Sequence, residues 1–285
     1  SVLSVQKPDS GSTNGVSLGC ADSLLATATQ EGVHFYDIRG GGKLLGEYVN
    51  SHSDEVLCVR FHPTKPTLLM TGGADGLACV FDVAVNGEDE ALVTVCNAES
   101  DVVNVKVLDG KDLLCCQTSV ETLALFTISD GQCVGNFANL RQTVAQTCGY
   151  AADYVVETYF DAVKNQVHAL VGTFSGDLLD VIVNGNGTVV PCCRMSSGHY
   201  RPVRCAAWGI GSVSGVDGVG GVGSVGGMNQ SVVVTGGEDS RVCMWQIGGD
   251  ATTMTSGLGG KGGSGGSGGS RRIKRVKKRN EANPY

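Results

Sequence analysis

Residues 71–83 read TGGADGLACVFDV, and residues 235–247 read TGGEDSRVCMWQI. Both fit T-G-G-x-D-x-x-x-C-x-[FW], so the polar turn that opens at Thr71 recurs, far along the chain, at Thr235. A catalytic motif is usually needed once, and a repeated motif points to a repeated structural task. The match extends upstream. SHSDEVLCVRF begins at Ser51-His52 and GHYRPVRCAAW at Gly198-His199, and in each an aromatic (Phe61, Trp208) stands nine positions after the His. The first copy runs directly from Phe61 to Thr71. The second carries 17 extra residues between Trp208 and Thr235, a Gly/Val/Ser stretch. An insertion at one place in a constant frame reads as a surface loop.

Weaker copies follow from the same frame. DLLCCQTSVETLALFTI (112–128) and VHALVGTFSGDLLDVIV (167–183) align without gaps on TLLMTGGADGLACVFDV (67–83). SLLATATQEGVHFYDIR (23–39) fits with one residue missing from its turn. Each copy is an apolar run, a small or polar turn and an alternating apolar run, the pattern of a β-hairpin. Strand-like runs precede most of them: VLCVRF (56–61), VVNVKVL (102–108) and DYVVETYF (153–160). The hairpins begin at Ser23, Thr67, Asp112, Val167 and Ser231, and the longer intervals, the last two, contain insertions. Four short strands per roughly 40–45 residues is the period of a β-propeller blade. The expectation is an all-β propeller with about five blades visible, the first of them partial.

Composition sets what surrounds this frame. Hydrophobic residues at 41% and charged residues at 17% suit a chain that buries a core. Nearly half of the 43 Gly fall between Gly209 and Gly227 or between Gly248 and Ser270, which reads as flexible polypeptide. The net charge of −7 is uneven: residues 271–285 carry seven Lys/Arg and one Glu, and the rest of the chain carries 14 Lys/Arg and 27 Asp/Glu. An anionic partner would meet the tail and not the acidic body. Twelve cysteines include Cys58, Cys79 and Cys243 among apolar strand residues, and two adjacent pairs, Cys115-Cys116 and Cys192-Cys193. No C-x-x-C pair, secretory signal or 18-residue apolar run is present, so reduced thiols in cytosol or nucleus are expected, with no membrane partner. The chain begins with Ser1, and an upstream segment is expected to be missing.

The His…Asp…[FW] spacing resembles the WD-repeat family of β-propellers. In that family the His near the blade start, a strand Thr or Ser, the turn Asp and a strand Trp form a hydrogen-bonded tetrad. The resemblance implies a complete tetrad of His199, Thr235, Asp239 and Trp245, and a partial one of His52, Thr71 and Asp75, where Phe81 replaces the Trp. Val120 and Ser175 stand where those two blades have Asp, so their blades lack the network. HSDEVLCVRFHPTKPTLLMTGGADGLACVFDV, EDEALVTVCNAES, DYVVETYF, NQVHALVGTFSGDL and the Lys/Arg-rich end are similar to the WD repeat-containing protein 89 subfamily. That resemblance implies a single seven-bladed ring, about two N-terminal blades of which are absent here. It implies suggested links to ribosome biogenesis and growth control. The expected organisation is a propeller over 1–249 with a disordered Gly-rich insertion near 209–229, a Gly/Ser linker over 250–270 and a disordered basic tail over 271–285.

Two further features bear on function. RRIKRVKKRN places Arg271, Arg272, Lys274, Arg275, Lys277, Lys278 and Arg279 on a flexible tether, which fits a nuclear import signal and suits RNA phosphates. Nuclear or nucleolar residence is expected, with cytoplasm as the alternative. Without interleaved aromatics, sequence-specific reading of RNA is not expected. Tyr36-Asp37-Ile38-Arg39 resembles the W-D-x-R blade end by which WD-repeat receptors dock on the cullin-4 ligase adaptor. By that resemblance Asp37 and Arg39 are candidate docking residues. The five His show no metal-ligand spacing, G-x-S-x-G is absent, and Asp177 and Asp180 read as a solvated turn. The expected function is a non-enzymatic protein-interaction scaffold, with no metal, cofactor or small-molecule substrate. RNA or ribosomal precursors at the tail are further expected partners, and a cullin-4 substrate receptor is the alternative.

Overall fold

Short apolar runs, alternating in and out and bounded by Gly, Asp and Asn turns, fold as strands and leave little room for helix. The computed structural model describes residues 14–19, 23–108, 111–161, 164–210 and 231–247. The first sheet holds β1 (Gly15–Gly19), β2 (Leu24–Ala28), β3 (Val33–Asp37) and β4 (Lys43–Tyr48). The second holds β5 (Val56–Phe61), β6 (Leu68–Gly73), β7 (Leu77–Asp82) and β8 (Leu92–Asn97). The third holds β9 (Val102–Leu108), β10 (Leu113–Thr118), β11 (Leu123–Thr127) and β12 (Cys133–Phe137). The fourth holds β13 (Tyr154–Asp161), β14 (Gln166–Gly172), β15 (Leu178–Val183) and β16 (Val189–Met195). The fifth holds β17 (Val203–Ile210), β18 (Ser231–Gly237) and β19 (Val242–Ile247). Every sheet is an antiparallel meander in chain order.

The sheets stack as propeller blades. The first strands lie side by side along the arc, β1 on β5, β5 on β9, β9 on β13 and β13 on β17. Four apolar cores fill the four junctions. Phe35, Val59, Leu69 and Phe81 join the first two sheets, and Met70, Val80, Leu114 and Phe126 the second and third. Leu123, Leu125, Val181 and Val183 join the third and fourth, and Leu170, Leu178, Met195 and Val203 fix the fourth to the fifth. Strand alternation sends the adjacent thiols apart: Cys115 enters the core shared with the fourth sheet and Cys116 the core shared with the second.

The structure corrects the sequence reading in two places and shows what fills one expected insertion. The first blade is a complete four-stranded sheet and not a partial one, because GVSLG forms β1 although its Gly and Ser blunt the strand pattern. Gly209 and Ile210 belong to β17, paired with Val232 and Ser231, so the insertion starts later than residue 209. The long interval between the third and fourth hairpins holds α2 (Leu140–Cys148), which packs Leu140 and Val144 into the core and ends on Gly149 at φ 61°. A shorter helix, α1 (Glu88–Ala91), separates β7 from β8. Residues 211–230, the linker and the basic tail lie outside the described residues.

One irregularity recurs. In all four complete sheets the third and fourth strands slip register at the same level, which leaves Leu45, Val93, Val134 and Cys192 as the bulged residues. The ends of the arc also differ from its middle. Val80 and Leu125 are 0% and 4% exposed against the next sheet, whereas Met244, at the same frame position in the fifth sheet, is 60% exposed. Val16 and Leu18 are exposed on the first sheet.

Candidate functional site

His199 stands in the loop before β17, Thr235 on β18, Asp239 in the β18–β19 turn and Trp245 on β19. The structure brings all four together. Trp245 Nε1–H donates to Thr235 Oγ1 at 2.7 Å, Thr235 Oγ1 meets His199 Nε2 at 2.8 Å, and His199 Nδ1 meets the Asp239 carboxylate at 3.0 and 3.2 Å. Indole N–H can only donate, so the row is satisfied when Thr235 donates to Nε2 and Nδ1–H donates to Asp239. The carboxylate also accepts the N–H of Tyr200 and of Arg241, each at 3.1 Å. Burial pulls its pKa up, and the His199 hydrogen bond and these two N–H groups outweigh that and hold it below the ordinary carboxylate value.

The second sheet repeats this with one member fewer. His52 Nδ1 lies 3.1 Å from both Asp75 oxygens and Nε2 2.7 Å from Thr71 Oγ1. Asp75 accepts the N–H of Ser53 and of Leu77 at 3.0 Å. Phe81 fills the Trp position and is buried in the core, with no N–H to give. The second Gly of each motif is required by space: a Cβ on Gly73 would lie 2.5 Å from Asp75 Oδ1 and from His52 Nδ1, and one on Gly237 2.7 Å from His199 Nδ1. These groups are buried and mutually satisfied, so they brace the blade and present no reactive atom to a substrate.

The other sheets are braced differently. Beside the exposed Val120, Thr118 and Thr122 join hydroxyls at 2.6 Å, and Glu121 reaches forward to accept Val155 N–H at 2.6 Å. Ser175 pairs with Thr173 at 2.9 Å. Asp177 is a partly exposed turn residue paired with Arg194 at 3.0 Å, but Asp180 is not solvated. It is 1% exposed on β15 and faces His168 Nδ1 on β14 at 3.0 and 3.2 Å. Asp37 Oδ1 accepts Arg39 N–H at 2.9 Å, and the Arg39 side chain is 76% exposed. The seven cations from Arg271 to Arg279 lie outside the described residues.

A surface cluster unforeseen in the sequence lies where the turns of the fourth and fifth sheets meet. Phe174 and Tyr200 are 64% and 57% exposed. Phe174 packs against Tyr154 in a tilted pair with centroids 5.8 Å apart, its N–H held by Asp153 Oδ2 at 2.7 Å. Tyr154 Oη accepts Val203 N–H at 2.7 Å, which anchors this ring pair across the junction. The guanidinium of Arg241 lies 4.5 Å over Tyr200 and donates to Gly198 O at 2.9 Å. That of Arg204 lies 5.8 Å over Tyr154 and donates to Glu238 at 2.7 Å. Exposed rings and guanidinium groups on a braced backbone are the side chains that dominate protein interfaces. The signal in the sequence is slight: lone aromatics at turn positions, where small polar residues are usual.

Comparison with known proteins agrees with this architecture. The family model of the WD domain, G-beta repeat, matches residues 42–82. That span runs from β4 of one sheet through β7 of the next, so one sequence repeat ties two blades together. WD repeat-containing protein GTS1 of Arabidopsis thaliana is 30% identical over 240 residues, covering 82% of this chain and 58% of that protein. WD repeat-containing protein 89 homolog of Dictyostelium discoideum is 24% identical over 205 residues, covering 71% of this chain and 52% of that one. The chain thus spans little more than half the length of these relatives. Among solved structures, a chain in the crystal structure of the mitotic checkpoint complex matches with a TM-score of 0.57 at 14% identity, over 82% of this chain and 63% of that chain. The last likeness is one of fold.

Proposed function

This chain is a WD-repeat β-propeller protein, and we propose on that premise that it is a non-enzymatic scaffold that binds a protein through the turn face of its fourth and fifth sheets. WD-repeat proteins generally act as protein-interaction scaffolds. The observation that carries the finer reading is the Phe174–Tyr200 cluster, two exposed rings held by Tyr154, Arg204 and Arg241 on rigid turns. Affinity purification of the tagged chain followed by mass spectrometry tests it. Phe174→Ser with Tyr200→Ser should lose the partners that the wild type retains, with the melting temperature unchanged. Retention of every partner by the double variant removes this face from the reading.

The setting we propose is ribosome biogenesis or growth control, in nucleus or nucleolus, supported by the resemblance to the WD repeat-containing protein 89 subfamily and by the basic tail. In sequence, a Gly/Ser-rich run separates these seven cations from the acidic body of the chain. Replacing Lys274, Arg275, Lys277, Lys278 and Arg279 with Ala should move a fluorescent fusion from nucleus to cytoplasm. If the tail also holds RNA, log affinity should fall with log salt at a slope no steeper than about −5, at −0.7 for each of seven phosphates. An unchanged distribution means that the tail is not the address.

A second reading is supported by the reach of Arg39. Its side chain stands out from a turn that Asp37 fixes, as docking on the cullin-4 ligase adaptor requires. Arg39→Ala should abolish co-purification with that adaptor and leave the fold intact. Absence of the adaptor from wild-type preparations ends this reading.

A further inference from the structure

At two frame positions the fourth sheet departs from all the others. Where His168 stands, the other sheets have Leu24, Leu68, Leu113 and Val232. Where Asp180 stands, they have Phe35, Val80, Leu125 and Met244. An apolar pair has been exchanged for a titratable pair that is 2% and 1% exposed. The third member comes from the recurrent bulge. Leu45, Val93 and Val134 are exposed at that bulge, whereas Cys192 is half-buried beside Asp180 and carries a free thiol.

The ligand-type atoms of His168, Asp180 and Cys192 all lie within 4.8 Å of one another. His168 Nδ1 is taken by Asp180, and Nε2 is buried with no hydrogen-bond partner. Whichever tautomer the ring adopts, one of its polar atoms goes unmet. A carboxyl this deeply buried is costly as an anion unless a cation stands beside it, and burial pushes the Asp180 pKa up. The exchange therefore leaves an unmet imidazole nitrogen and a buried acid where the neighbouring sheets have apolar side chains.

We propose that His168, Asp180 and Cys192 bind a zinc ion that clips together β14, β15 and β16. One imidazole nitrogen, one carboxylate oxygen and one thiolate form a mixed donor set suited to zinc, with water in the fourth position. Around a tetrahedral zinc, bond lengths of about 2.0–2.3 Å place ligand atoms roughly 3.3–3.8 Å apart. The cluster closes onto the ion by about 1 Å of side-chain movement. The ion meets the imidazole lone pair and neutralises the buried carboxylate. Among the described residues, it braces the one complete sheet whose interior carries a His–Asp pair in place of packing. Separation explains why no motif announces it. The donors stand well apart in sequence, one on each of three strands, and only the meander brings them together.

The test uses the full chain, reduced, stripped with a chelator and titrated with cobalt(II) and then zinc. Tyr159 stacks on His168 at 4.5 Å and on Trp208 at 3.7 Å, which places an indole close enough to report on the metal. The wild type should bind one equivalent of cobalt with a thiolate charge-transfer band and quenching of Trp208 fluorescence. Zinc should displace the cobalt and raise the melting temperature by several degrees. Cys192→Ser should fold normally without metal, lose the band, and weaken zinc binding by more than about 100-fold, beyond the 10–100-fold typical of a lost outer partner. His168→Gln should lose the band as well. Cys205→Ser, an exposed thiol on the neighbouring sheet, should keep the band and the zinc shift. A wild type without the band, a band that survives Cys192→Ser, or one lost in Cys205→Ser overturns the proposal and leaves His168–Asp180 as a buried ion pair.

Discussion

Trp245 and Phe81 hold the same place in two copies of one turn network, and only the indole has an N–H to give. The second sheet keeps its His, Thr and Asp together without that donor, so the N–H adds to the network but does not create it. Trp245→Phe should cost about 1 kcal/mol, the net value of one hydrogen bond. Asp239→Ala should cost more, about 1–3 kcal/mol, because it strands His199 and two backbone N–H groups. Asp177→Ala, which breaks a partly exposed pair with Arg194, should cost under about 1 kcal/mol. Thermal unfolding of the three side by side checks the order, and equal midpoints would remove the argument. Asp75 and Asp239 are both held below the ordinary carboxylate value. Their contribution is complete at neutral pH and fades as acid takes the solution below that value and through their lowered pKa. The Ala variant should therefore approach the wild type in acid. These residues were legible in the sequence because a fixed spacing repeats. His168 and Asp180 were not, because in one strand each a lone polar residue looks like ordinary alternation.

At the scale of elements, the shortest helix fastens a connection between two blades. Helix α1 is only four residues long, and its Glu88 carboxylate accepts the N–H groups of Val49, Asn50 and Ser51 at 2.8, 2.8 and 2.7 Å, with the Ser51 hydroxyl at 2.6 Å. Those three residues form the bend that carries the chain from the first blade to the second. Glu88 thus fastens the connection from a point 37 to 39 residues later. Glu88→Ala should destabilise the chain by about 1–3 kcal/mol. It should speed hydrogen exchange at residues 49–51 well beyond the effect at β9, and uniform acceleration would deny the latch. Nothing in the sequence indicated this contact, since a Glu in a short acidic run carries no pattern. The hairpins were legible from period-two alternation, as were β5, β9 and β13. Strand β1 was lost to its small residues, and α2 was visible only as an interval too long for one blade.

The whole molecule is an arc of sheets whose middle junctions are filled and whose two outer faces are open among the described residues. One frame position therefore carries opposite weights along the chain. Leu125→Ala, in the core between the third and fourth sheets, should cost about 2–5 kcal/mol. Met244→Ala, on the open face of the fifth, should stay within about 0.5 kcal/mol. Similar losses at both positions would mean that the outer face is covered in solution. The blade period was legible from the first repeat onward, but the face that each blade turns to its neighbour required the stack itself. Cys115 and Cys116 turn that stack into something that can be timed. Neighbours in sequence, they face different junctions, and burial pushes the Cys115 pKa up to about 11 and that of Cys116 well above the ordinary thiol value. Neither thiol can react with an alkylating reagent until its own junction parts. Sheets that touch only their neighbours open locally. Pulse alkylation read by peptide mass should then give two distinct rates from one dipeptide, a clock for each of two adjacent seams.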